Sequence, residues 1–145
     1  MATGDLNRNH ARECTVPPYL EPLPEEFIDR VRQRAGLGSF SEAEEATRAT
    51  LTTLGEYLVG GEGLDLASQL PQGLAENLRR EPPDRPMIYS FLDFLQEIGE
   101  REGVNTDEAS AHARAVVSVL QEAVSEGEMD DVRRQFPSEF DPLVN

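Results

Sequence analysis

The chain has 145 residues, enough for one domain that buries roughly two-thirds of its unfolded surface without a covalent staple. It carries 28 acidic residues against 13 basic ones, a formal net charge of −15, and lysine is absent. A field of that sign repels phosphate backbones and anionic lipid heads, which argues against nucleic acid and membrane surfaces as partners.

Residues 1–23 read as an extended tail. Pro17, Pro18, Pro22 and the adjoining Pro24 break helical periodicity and favour polyproline-like stretches. Met1 to Glu13 is polar and mixed in charge, without the apolar stretch of a signal peptide, and Cys14 is alone, so the expected compartment is the cytoplasm. His10 and Cys14 share an i, i+4 spacing, but a closed zinc site would need further ligands, and no metal is expected. Tyr19, Leu20 and Leu23 are apolar enough to dock onto the folded part.

A first helical unit is expected over residues 24–80. Pro24 stands at a first helical position with Glu25 and Glu26 behind it, Phe27, Ile28, Val31 and Ala35 share a face, and Gly36 closes the helix. Ser41 to Glu44 fits a capping box that opens a longer helix with Ala43, Ala46, Thr50, Leu54, Tyr57 and Leu58 at helical spacing. Gly60 and Gly61 end it. A shorter helix carrying Leu66 and Leu70 follows, and Pro71 begins a last turn with Leu74 and Leu78. A linker is expected over residues 81–87, within the proline-rich run Arg79 to Met87.

The second unit, residues 88–145, repeats the order. A helix from about Met87 presents Phe91, Phe94, Leu95 and Ile98 and stops at Gly103; Asn105 to Glu108 caps a helix with Ala109, His112, Val116, Leu120, Ala123 and Val124, ended by Gly127. Val132, Phe136, Pro137, Phe140 and Leu143 follow. Sliding Glu42–Pro71 onto Glu108–Pro137 without a gap gives 11 identities in 30 positions, where unrelated segments share about two. Dropping one residue of the first loop also brings Phe27 onto Phe94 and Gly36 onto Gly103. The expected fold is all-α: a pseudo-twofold duplicated bundle of two three-helix units behind the proline-rich tail. With no tryptophan and only six phenylalanines and three tyrosines, its core should be mostly aliphatic.

The run from Glu45 to Glu56, the Gln69-Leu70-Pro71 that follows, and their second-copy counterparts resemble the prokaryotic DUF2267 family. Those counterparts are Phe94 to Gly103, His112 to Val116, Gly127-Glu128 and Gln135-Phe136-Pro137, and the resemblance covers roughly Leu23 to Val144 with both repeats matched. It implies an all-α duplicated domain, with a stress-associated setting in keeping with the family, and transfers no catalytic residue.

Arg48 and Arg114 occupy the same place in the two units, as do Asp65 and Asp131. Structural ion pairs or helix-end contacts account for all four; an anion site between the arginines is the functional alternative. His112 stands where the first unit has Ala46, and no oriented carboxylate and nucleophile accompany it in the sequence, so no catalytic residue is assigned. The carboxylates form no calcium loop, Gly60 to Gly63 lacks the lysine of a phosphate loop, and no cofactor is expected. Arg30, Arg32 and Arg34 read as i, i+4 partners of nearby glutamates on a solvated surface. The acidic, lysine-free composition suits a high-salt cytoplasm and follows equally from GC-rich coding. The favoured function is a non-enzymatic module for protein–protein interaction or homo-oligomerisation. The alternative is an apolar-ligand site between the halves, lined by Leu54, Tyr57, Leu58, Leu120 and Val124.

Overall fold

In the computed structural model the described residues are 24–58, 62–79 and 90–144. The tail 1–23, with His10 and Cys14, and the linker 81–87 lie outside them, as do Gly60 and Gly61. The described chain is helical, and no strand occurs in it. Its helices are α1 (Glu25–Ala35), α2 (Phe40–Tyr57), α3 (Glu62–Ala67), α4 (Gln72–Arg79), α5 (Phe91–Glu102), α6 (Thr106–Ala123), α7 (Glu126–Arg134) and α8 (Asp141–Val144), the last entered through a 3-10 turn at Ser138–Phe140. None is long and apolar enough to cross a membrane.

Helix ends follow local chemistry, with some starts shifted from expectation. Pro24 is the residue before α1, and its carbonyl accepts the Ile28 N–H at 3.1 Å. The cap of α2 is Ser39, not Ser41: Ser39 is extended and its hydroxyl takes the Glu42 N–H at 3.1 Å, which places Ser41 inside the first turn. Ser90 does the same for Asp93, so α5 starts at Phe91 rather than near Met87. Asn105 and Glu108 close a full capping box on α6. Gly36 and Gly103, with φ of 69° and 77°, end α1 and α5 in the left-handed conformation that glycine adopts without strain. The last turn expected at Pro71 is an eight-residue helix, so among the described residues four α-helices precede the linker and four follow it, where three per unit were expected.

The two 18-residue helices α2 and α6 pack on each other at the centre. Each of α1 and α5 lies against both of them, α4 lies on α2, and α8 lies on α6. Central placement explains the buried run Ala49 to Leu54, where Thr47 and Thr53 bury their hydroxyls by donating to the Ala43 and Ala49 carbonyls at 2.8 Å. Gly55 lets α4 close on α2, since a Cβ there would stand 2.1 Å from the Leu78 carbonyl oxygen.

Five of the seven aromatic residues among the described ones lie together. Tyr57, Phe91, Phe94, Phe136 and Phe140 gather where α2 ends and α5 begins, with Tyr57 stacked on Phe136 at 4.7 Å and on edge to Phe94 at 6.1 Å. Elsewhere the core is aliphatic, led by Ile28, Val31, Leu51, Leu54, Ile98, Val116 and Leu120.

Candidate functional site

Polar groups join the halves by crossed ion pairs. Arg101 on α5 gives two hydrogen bonds to Glu56 on α2, at 2.7 and 2.8 Å, a third to the Thr53 hydroxyl at 2.7 Å, and pairs with Glu97 at 3.1 Å. The Glu56 side chain is only 1% exposed. On the other side, Arg34 on α1 reaches Glu122 on α6 at 2.5 Å and the Ser118 hydroxyl at 2.8 Å, while Arg30 meets Glu122 at 3.4 Å; here the carboxylate is 46% exposed. Arg34, expected on a solvated charged surface, and Arg101, not singled out in the sequence, therefore both belong to inter-helix pairs.

A second buried polar pair lies at the α5–α6 turn. His112 Nδ1 sits 2.6 Å from Glu102 Oε1, with side chains 11% and 3% exposed, and Glu102 Oε2 has no hydrogen-bond partner. Burial pushes the Glu102 carboxyl above the ordinary glutamate value; the hydrogen bond and charge of His112 pull it down, and Glu45 and Glu108 push it up again. The pair is largely enclosed and joined by one short hydrogen bond.

Of the positions singled out by the repeat, Arg48 meets Glu44 one turn away at 3.6 Å, and Asp131 is paired with Arg134. Arg114 and Asp65 are exposed, and the Asp65 carbonyl accepts from the Ser68 hydroxyl. Arg48 and Asp131 thus each meet an opposite charge on their own helix. Leu54, Leu58 and Leu120 are buried in the core, Val124 is partly buried against it, and the Tyr57 ring is taken up by the aromatic cluster. Among the described residues no three His, Cys, Asp or Glu side chains are grouped to hold a metal.

Two surface grooves are lined by other residues. One, of about 470 Å³, is polar and runs between α6 and α7, bounded by Ser118, Gln121, Glu122, Glu126, Asp130 and Arg133 over Met129. The other, of about 310 Å³, opens where α1 begins, α4 begins and α6 ends. Phe27, Leu74 and Val119 are its buried floor, Pro24, Pro71 and Ala123 its walls, and Glu26 and Arg30 its charged rim. Each wall has a local origin: Pro24 and Pro71 stand just ahead of a helix, and α6 stops at Ala123 because Val124 turns extended. An apolar floor with a polar rim suits an apolar side chain of a protein segment or a small apolar molecule. Nothing in the sequence flagged it, because its six apolar residues come from three distant stretches.

Compared with known families, residues 24–143 match the family model described as an uncharacterized conserved protein (DUF2267). No curated protein matches the chain.

Proposed function

The chain belongs to the DUF2267 family of uncharacterised conserved proteins, and on that premise we propose that it is a non-enzymatic helical module for protein–protein interaction, acting in the cytoplasm. The observation that carries the reading is the 310 Å³ groove, a half-enclosed apolar floor beside exposed charges, sized for one or two apolar side chains of a docking segment. The polar groove and the enclosed Glu102–His112 pair offer no comparable receiving surface.

The same reading takes the bundle to be a duplicated unit about a pseudo-twofold axis. Supporting it are the paired helix lengths, 11 and 12 residues for α1 and α5 and 18 each for α2 and α6. The crossed pairs support it further, since Arg34 aligns with Arg101 and Glu56 with Glu122.

Native mass spectrometry on the full chain, with and without Ala123→Tyr, tests the function. Ala123 is exposed at the groove wall, so a tyrosine there fills the groove from outside the core. The expected result is a complex, with a second copy or another polypeptide, that the substitution abolishes while thermal stability holds. A monomer under all conditions, or a complex indifferent to Ala123→Tyr, would overturn the proposal. Added mass of a few hundred daltons would instead point to an apolar small molecule.

A further inference from the structure

The groove and the aromatic cluster occupy corresponding places in the two halves. In the register that aligns them, Phe27 of the groove falls on Phe94 of the cluster, Leu74 on Phe140 and Pro71 on Pro137. Of the five rings only Phe94 meets another ring; Phe136 and Phe140 fall on Leu70 and Leu74, and the smallest counterparts are Ala123 for Tyr57 and Pro24 for Phe91. One pole is filled by the chain's own aromatic side chains, whereas the other is left open by an alanine and a proline. The groove, of about 310 Å³, lies over Phe27, Leu74 and Val119.

We infer that the groove is filled in cis by Tyr19–Leu23 of the same chain, with the Tyr19 ring taking the place that Tyr57 holds at the opposite pole. This rests on the reading of the groove as a docking site and names its resident segment. The described chain starts at Pro24, itself a groove wall, so the preceding residues leave from the groove edge. Tyr19 lies five residues upstream, and five residues span at most about 17 Å, enough to fold back across the opening. Within the segment Tyr19, Leu20 and Leu23 supply apolar side chains, and Glu21 comes to a rim where Arg30, paired with Glu26 and Glu122, is still 47% exposed. Pro22 and Pro24 restrict the backbone and lower the entropy lost on docking. An outside partner must then displace this segment, which makes the tail a built-in competitor for the docking site.

Cys14 is the single cysteine and permits the test without an introduced label site. A nitroxide on Cys14 of the full chain should broaden the backbone amide resonances of Phe27, Leu74, Val119 and Ala123. Ala123→Tyr and Tyr19→Ala should each release that broadening, with the α2 and α5 amides unshifted as evidence of an intact fold. Mixing isotope-labelled Cys14→Ser chains with spin-labelled, unlabelled chains reads the trans contribution, expected to be absent. Groove amides unaffected in the labelled chain, or broadening that survives both substitutions, would overturn the inference. Broadening confined to the mixed sample would overturn it in favour of a second copy as occupant. A null result here beside a complex that Ala123→Tyr abolishes would remove the tail as occupant and leave the interaction module standing.

Discussion

Replacing Arg101 by methionine should cost far more stability than the same change at Arg34, although the two arginines align in the sequence repeat. Methionine keeps much of the aliphatic bulk, so the difference lies in the charge. Arg101 supplies two hydrogen bonds to a Glu56 carboxylate that is 1% exposed, and water cannot take their place. Hydrogen bonds to charged groups contribute about 1.5–3 kcal/mol each. Because Arg101 is itself 21% exposed, the low end applies, and the expected loss is about 3 kcal/mol. Glu122, at 46% exposure, regains water when Arg34 is removed, so that variant should lose at most about 1 kcal/mol. Urea unfolding followed by helical circular dichroism, at pH 7 and fixed ionic strength, measures both. In thermal melts the Arg101→Met loss corresponds to about 10 °C for a domain of this size. Removing both partners, Glu56→Met with Arg101→Met, should cost less than Arg101→Met alone, since no buried charge then loses its partner. Equal losses at the two arginines would show that burial of the carboxylate does not govern the pair.

Gly55→Ala should destabilise by about 2 kcal/mol or more, because the added methyl meets the Leu78 carbonyl and forces α4 off α2, outweighing a gain of about 1 kcal/mol in helix propensity; an unchanged urea midpoint would refute that close approach. Tyr57→Ala should lose about 3 kcal/mol by removing the ring stacked on Phe136, and a loss below about 1 kcal/mol would mean the aromatic cluster is loosely packed. The Glu102 carboxyl has a raised folded-state pKa, so folding takes up a proton there and its contribution is fully present below the unfolded value near 4.5 and is lost as pH rises through the folded pKa. The melting temperature of the wild type relative to Glu102→Gln should therefore climb as pH falls from 7 toward 5, and a difference that stays flat or grows with rising pH would contradict this sign.

The long helices were legible because their signals are local. Glycine at the ends of α1 and α5, the capping box of α6 and the apolar spacing along α2 each act within a turn or two of chain. The misplaced start of α2 shows the limit: Ser39 and Ser41 both precede acidic residues, and only backbone geometry chooses between them. Arg101 sits one turn from Glu97, and Arg34 one turn from Arg30, and neither local spacing shows a reach to another helix. The signal that could have found them was the identity of Glu56 and Glu122 across the repeat, taken together with the arginine alignment. Arg48 and Arg114 matched just as well in sequence, yet Arg48 meets Glu44 on its own helix and Arg114 is exposed, so repeat identity alone does not separate a buried pair from a surface one. The groove was invisible for a different reason: what defines it is side chains that are small where their counterparts are large.

The crossed wiring of the ion pairs also constrains how the chain folds. Arg34 finds Glu122 across 88 positions of sequence, and Arg101 finds Glu56 across 45. A helical bundle whose helices merely followed one another would close short loops first and fold quickly, but these contacts form only after a large part of the chain has been gathered. A nascent chain released up to Arg79 holds α2 with Glu56 already buried in prospect and its arginine not yet made. Such a chain lacks α5 and α6, against which α2 packs, so the centre of the bundle can close only after both are made.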